Sequence, residues 1–259
     1  MTCERCQGTG FEIVERGGRE FAQPCACRRT AAGAGADVLT TLRIPPRYEH
    51  CTLASFDPGN ASLRAGLEKA MGYCTRFPFL GSDDEGLGLL FTGDNGVGKT
   101  HLAVAVLREL ATSKGVRGQF WDFHELIREI KNSYNPETKT TELQVLEPVV
   151  EAGLLLLDDL GAWKMTDWMN DTLVYILNGR YMSKRPTLIT TNFQDVDAKA
   201  ALAADPLRRK EFLVGRIGYR LRSRLMEMCL VIRLQGDDHR QARQQSNEVA
   251  IRRPRALEP

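Results

Sequence analysis

Gly93-Asp94-Asn95-Gly96-Val97-Gly98-Lys99-Thr100 stands between an apolar run, Leu87 to Phe91, and a run of helix formers, His101 to Leu110. A glycine, four residues, then Gly-Lys-Thr between a strand and a helix predicts a phosphate-binding loop. The glycines let the backbone curl so that successive N–H groups face one anion, and the helix N-terminus adds partial positive charge. In such a loop Lys99 reaches the β- and γ-phosphates and the Thr100 hydroxyl binds Mg²⁺. Gly93, Asp94, Asn95, Gly96, Val97, Gly98, Lys99, Thr100 and His101 are therefore the expected nucleotide-binding set. A glycine-rich turn matching the pattern by coincidence would lack these flanks.

About sixty residues further on, Gly153-Leu154-Leu155-Leu156-Leu157-Asp158-Asp159-Leu160-Gly161 is a continuous apolar strand ending in two acids. Four leucines in a row suit a strand buried on both faces. This is a Walker B pattern, in which Asp158 would hold Mg²⁺ opposite Thr100. Asp159 stands where many ATPases carry Glu, and would orient or polarise the attacking water. Its shorter side chain predicts modest turnover.

Around these motifs strands and helices alternate. Strands are expected at Leu87 to Thr92, Gly118 to Phe123, Gly153 to Asp158, Thr187 to Thr191 and Leu230 to Leu234. Helices are expected at Ser62 to Phe77, Thr100 to Ser113, Glu125 to Ser133, Glu142 to Glu151 and Thr166 to Ser183, with further helical material containing Leu213 to Met228. That order implies an α/β fold, a parallel sheet with helices on both faces, and nucleotide at the carboxyl ends of the strands. The 259 residues divide into 1–29, a cysteine module; 30–60, a linker; 61–240, the nucleotide-binding domain; and 241–259, a basic tail expected to lack fixed structure. A solvated tail is the default for such a charge run, a DNA-touching arm the alternative.

The chain is 42% hydrophobic and 26% charged with formal net charge +2, so any nucleic-acid surface must be a local patch. No apolar stretch is long enough to cross a bilayer and Met1 to Arg5 lacks the apolar core of a secretion signal, which makes the cytoplasm the expected location. Of the seven cysteines, Cys3, Cys6, Cys25 and Cys27 crowd the first 27 residues. CxxC followed eighteen residues later by CxC offers four thiolates in two close pairs, a pattern suited to tetrahedral Zn²⁺. A redox pair or uninvolved thiols are the alternatives. Between the pairs, Phe11 to Glu15 and Arg19 to Phe21 flank Gly17-Gly18 and predict a hairpin. Cys51, Cys74 and Cys229 lie apart and read as small buried apolar residues.

The two nucleotide motifs resemble those of the AAA+ ATPases of the DnaC/DnaI helicase-loader and IstB transposition-helper group, and the likeness covers roughly residues 44–240. It is carried also by Ile44-Pro45-Pro46-Arg47-Tyr48, by Thr52-Leu53-Ala54-Ser55-Phe56 and by Arg185 to Asn192. Arg220-Leu221-Arg222-Ser223-Arg224-Leu225 and Gly236-Asp237-Asp238-His239-Arg240 complete it. The connection from Asp195 to Leu213 is longer than is usual in the group. The resemblance implies that Asn192 is a sensor contacting the γ-phosphate or water, and that Arg240 is a second sensor on the nucleotide. It further implies an arginine finger, Arg220 or alternatively Arg224, presented to a neighbouring subunit, with Tyr48 near the adenine. For single-stranded DNA, the matching stretch is Ile127 to Tyr134. There Tyr134 could stack on a base and Arg128 and Lys131 could meet phosphate, although an amphipathic helix explains the same pattern.

A four-cysteine head resembles a DnaI-like loader more than an IstB-like helper, whose head is helical. The expectation is therefore ATP- and Mg²⁺-dependent loading of a replicative DNA helicase onto single-stranded DNA, with self-association through the ATP site, a structural Zn²⁺ and no membrane partner. A transposition helper and a non-hydrolysing ATP-dependent DNA-binding scaffold are the alternatives.

Overall fold

The computed structural model describes residues 11–16, 19–24, 35–79, 86–135, 137–138, 140–196 and 211–240. Cys3, Cys6, Cys25 and Cys27, the tail 241–259 and most of the connection after Asp195 lie outside them. The elements in chain order are β1 (Phe11–Arg16), β2 (Arg19–Pro24), α1 (Gly35–Thr41), α2 (Ala61–Arg76), β3 (Gly88–Gly93), α3 (Lys99–Lys114) and β4 (Gly118–Asp122). They continue with α4 (Phe123–Asn132), α5 (Glu142–Glu151), β5 (Leu154–Asp158), α6 (Asp167–Met182), β6 (Thr187–Thr191), α7 (Leu213–Met228) and β7 (Cys229–Leu234). β1 and β2 pair antiparallel as the expected hairpin, with Phe11 opposite Pro24.

The other five strands form one parallel sheet in the order β4-β5-β6-β3-β7. Period-2 alternation sorts its side chains onto two faces. Leu89, Phe91, Leu154, Leu156 and Leu188 join a core formed with α1, α2 and α3, whereas Leu90, Leu155, Leu157 and Ile189 join a core formed with α4 to α7. Both faces are thus covered, as the leucine run of β5 requires. α3 is the most enclosed helix: Leu102, Val104, Val106, Leu107 and Leu110 have no solvent exposure. Burying each such side chain is worth about 1.5–3 kcal/mol, which anchors the phosphate loop at its N-terminus. Among the described residues no helix is long and apolar enough to cross a membrane.

Two features differ from the sequence reading. Within residues 30–60, expected as a linker, α1 packs on α3, and Leu42, Cys51 and Phe56 are buried in the first core. Pro45-Pro46 rules out an α-helix there, yet a single 3₁₀ turn at Pro46–Tyr48 spares the apolar residues on either side for packing. α7, where helical material containing Leu213 to Met228 was expected, carries a break at Gly218 (φ 78°) that the sequence reading did not mark, so Tyr219 and Arg220 open a second helical segment. Cys51, Cys74 and Cys229 are buried free thiols, as expected.

Arg180 was missed. Its guanidinium is fully buried and donates to the carbonyls of Val149, Val150, Ala152 and Pro186 and to the Thr187 hydroxyl, at 2.6–3.1 Å. It thereby caps the carboxyl end of α5, whose last carbonyls lack intrahelical partners, and ties that end to β6. Burial draws its pKa down to about 9; the five acceptors favour the charged form.

Candidate nucleotide site

The order β5-β6-β3 separates the Walker B strand from the phosphate-loop strand by one neighbour, β6, and their carboxyl ends meet over a cavity of about 410 Å³. β3 runs into the loop at Gly93, and α3 begins at Lys99. Gly96 (φ 76°) and Gly98 (φ 97°) are in the left-handed region that disfavours side chains. A Cβ would also collide with Asp238 Oδ1 at Gly96, at 1.7 Å, and with the Phe56 ring at Gly98, at 2.8 Å. Only bare backbone fits this curl, which is the form an anion cradle of amides takes.

Lys99 is buried, and its Nζ donates to the carbonyls of Gly93 (2.9 Å) and Asp94 (2.6 Å). Burial lowers its pKa to about 8 against the pull of Asp159, Asp158 and Asp94. Thr100 Oγ1 donates to Asp158 Oδ1 at 2.9 Å, so the two groups expected to share Mg²⁺ already touch. Asp158, at the end of β5, also accepts from Thr190 Oγ1 at 2.5 Å. Its burial raises its pKa to about 6, partly offset by these two hydroxyls.

Asp159 follows with φ 58°. Its N–H donates to Thr190 Oγ1 (2.9 Å) and its Oδ1 accepts from Asn192 Nδ2 (2.7 Å). Its pKa is also raised, by burial first and by Asp122 second. The hydroxyl and ammonium partners fit a Mg²⁺-triphosphate: a hydroxyl and a carboxylate for the cation, an ammonium and an amide cradle for the anion.

Asn95, Gly96, Gly98, Lys99, Thr100, His101, Asp158, Asp159, Asn192 and Arg240 all line the cavity, together with Tyr48. Gly93, Asp94 and Val97 do not: Val97 is fully buried, and Asp94 is exposed and reaches the site only through its carbonyl. Tyr48 is half-buried, and burial raises its pKa. Arg240 N donates to Asp238 Oδ1 at 2.9 Å, and His239 N donates to the Gly96 carbonyl, which lays this segment on the loop.

Arg220 and Arg224 are away from the cavity. Arg224 lies 5.0 Å over the Tyr181 ring, and Arg222 holds Asp195 through two bonds of 2.5 and 3.1 Å. Arg220 is exposed and makes no hydrogen bond or ion pair among the described residues. On α4, Ile127 and Ile130 are buried while Arg128 and Lys131 are exposed, as is Tyr134 in the turn that follows. Lys131 Nζ sits 5.4 Å over the Trp168 ring, which Tyr134 meets edge-on at 6.2 Å.

Sequence reading missed Thr190, Asp122 and Trp168. A hydroxyl in a strand buried on both faces needs a partner, and that signal was available for Thr190, one of three threonines in β6.

The family model for the IstB-like ATP binding protein matches residues 83–247. The replicative helicase loader DnaI of Bacillus subtilis (strain 168) is 32% identical over 157 residues, 60% of this chain and 48% of that protein. The replicative helicase loader DnaC of Escherichia coli (strain K12) is 26% identical over 149 residues, 58% of each. A crystal structure of the DnaC helicase loader has a TM-score of 0.61 at 32% identity, covering 73% of this chain and 99% of that one. The chain spans about half the length of the curated relatives it matches. With a family match over well above half of its residues and with this phosphate loop and sheet order, the chain belongs to the IstB-like ATP-binding proteins, in the AAA+ group of DnaC and DnaI.

Proposed function

We propose that this protein is an ATP-dependent loader that delivers a replicative DNA helicase onto single-stranded DNA. The observation that carries the ATPase part is the convergence of Lys99, the Thr100–Asp158 pair and the Asp159–Asn192 pair on one cavity. Thr100 and Asp158 would hold Mg²⁺, whose charge neutralises the phosphate oxygens when it is bound. Lys99 exchanges the Gly93 and Asp94 carbonyls for β- and γ-phosphate oxygens. Asp159, held by Asn192, accepts a hydrogen bond from the attacking water and aligns it. Arg240 contributes positive charge from the same wall.

The finger is Arg220 of a second copy, which makes hydrolysis depend on self-association. Its exposure and lack of partners among the described residues favour it over Arg224, whose charge is engaged with Tyr181. Arg128, Lys131 and Tyr134, with Trp168 beside them, contact single-stranded DNA by phosphate pairing and base stacking.

Cys3, Cys6, Cys25 and Cys27 hold one Zn²⁺; the donor set is suited to it, and the hairpin between the pairs closes at Phe11 and Pro24. Loss of one zinc equivalent in Cys3→Ser/Cys6→Ser tests this, and unchanged zinc content refutes it.

The family description favours a second reading, a transposition helper. Affinity capture with a non-hydrolysable ATP analogue separates the two: retention of a replicative helicase, lost in Lys99→Ala, supports loading. Retention of a transposase and not of the helicase overturns it. A phosphate-release assay with single-stranded DNA decides against a non-hydrolysing scaffold if turnover is seen.

A further inference from the structure

His50, Cys51 and His101 come from two places in the chain, yet each offers one ligand atom, and these lie within 4.8 Å of one another. Cys51 Sγ is 3.9 Å from His50 Nε2, and the two imidazoles meet edge-on at 6.0 Å. We propose that these three side chains bind a borderline-soft divalent ion of the Zn²⁺ type, with one coordination position left open, and that its occupation opposes nucleotide binding.

Two of the ligands are already set in place. Cys51 is buried at the end of the 3₁₀ turn, its N–H bonded to the Tyr48 carbonyl at 3.0 Å. His101 is in the first turn of α3, with Nε2 3.2 Å from both the Thr52 carbonyl and Ser55 Oγ, and with its ring on Phe56. Such outer contacts orient a ligating imidazole. Tetrahedral zinc, with bonds of about 2.0–2.3 Å, needs ligand atoms roughly 3.3–3.7 Å apart. The contraction this requires is about 1 Å at most, within the reach of side-chain rotation, and His50 is the exposed member of the three. Binding forms the S–Zn bond, and the Cys51 proton leaves to solvent. One thiolate with two imidazoles is a donor set of the type seen in zinc sites that keep an open position. It shares no residue with the four-cysteine head.

All three residues line the cavity that holds Lys99 and Thr100, and His101 directly follows Thr100. Drawing His50 across toward His101 narrows that cavity beside Tyr48. The antagonism, unlike the metal site, rests on the nucleotide reading above.

The test uses the full chain stripped of metal. Zn²⁺ is titrated against a chromophoric chelator without nucleotide, for wild type, His50→Ala and Cys51→Ser. Wild type should take up one equivalent more than either variant; equal uptake by wild type and the exposed-site variant His50→Ala overturns the site, whether or not Cys51→Ser folds. Mg·ADP affinity is then measured with and without that extra equivalent. Wild type should weaken by about tenfold, an ordinary coupling between neighbouring sites, and His50→Ala should not change. Extra zinc with unaltered ADP affinity refutes the antagonism, whereas no ADP binding by the metal-free protein refutes the nucleotide reading and leaves the zinc count standing.

Discussion

Thr190→Val removes one hydroxyl from the middle of the site while keeping the shape of the side chain. That hydroxyl donates to Asp158 at 2.5 Å and accepts from the Asp159 N–H at 2.9 Å. A hydrogen bond to a charged group contributes about 1.5–3 kcal/mol, and 1.36 kcal/mol corresponds to one pH unit. Without it, the acid that burial holds at about 6 should protonate about 1–2 pH units higher. In wild type, Mg·ADP affinity should fall on the acid side as Asp158 gains its proton near pH 6. It should fall on the alkaline side as Lys99, at about 8, loses its own. The variant should move only the acid limb upward, narrowing the window and weakening binding at neutral pH by about two- to tenfold. Isothermal calorimetry across the pH range reads both limbs, and Thr190→Ser should restore the wild-type profile. Superimposable acid limbs in wild type and Thr190→Val would show that the hydroxyl does not tune this carboxylate.

Asp159→Asn should bind Mg·ATP with near-wild-type affinity and lose about 100-fold or more of its phosphate-release rate, since it keeps the shape and loses the negative charge that aligns and polarises the water; wild-type turnover would reject the role. Arg220→Ala should lose about 10³-fold of assembly-dependent turnover with nucleotide affinity unchanged, and Arg224→Ala should lose far less; the reverse ranking in a steady-state assay places the finger on Arg224. Arg180→Met removes a donor from five acceptors at the α5–β6 junction, of which the Val150 and Pro186 carbonyls keep Arg185 and the Leu155 N–H. Urea unfolding should register a loss of about 3–5 kcal/mol, after partial relief by relaxation, and a loss under 1 kcal/mol would contradict the keystone role.

What the sequence made legible was whatever depends on near neighbours. The apolar runs of β3 and β5 and the glycine spacing between β3 and α3 are local patterns. The contacts that join the motifs were not legible. Thr190 reaches Asp158 only because β6 lies between β3 and β5, and strand order is not written in any one segment. The same holds for Arg180, which reads as one more surface arginine on a helix until α5 and β6 surround it. Residues 30–60 read as a linker because two prolines break the helical pattern, and the sequence does not show that Leu42, Cys51 and Phe56 join the core built with α2, α3 and β3, far along the chain.

Asp159 occupies a backbone conformation, φ 58°, in which glycine would rest more easily, by about 1 kcal/mol. A screen that rewards heat resistance alone should therefore favour Asp159→Gly and in doing so erase the carboxylate that aligns the water. The residue marks a spot where robustness and turnover pull in opposite directions, and its persistence in a lineage would reflect selection for work rather than for durability.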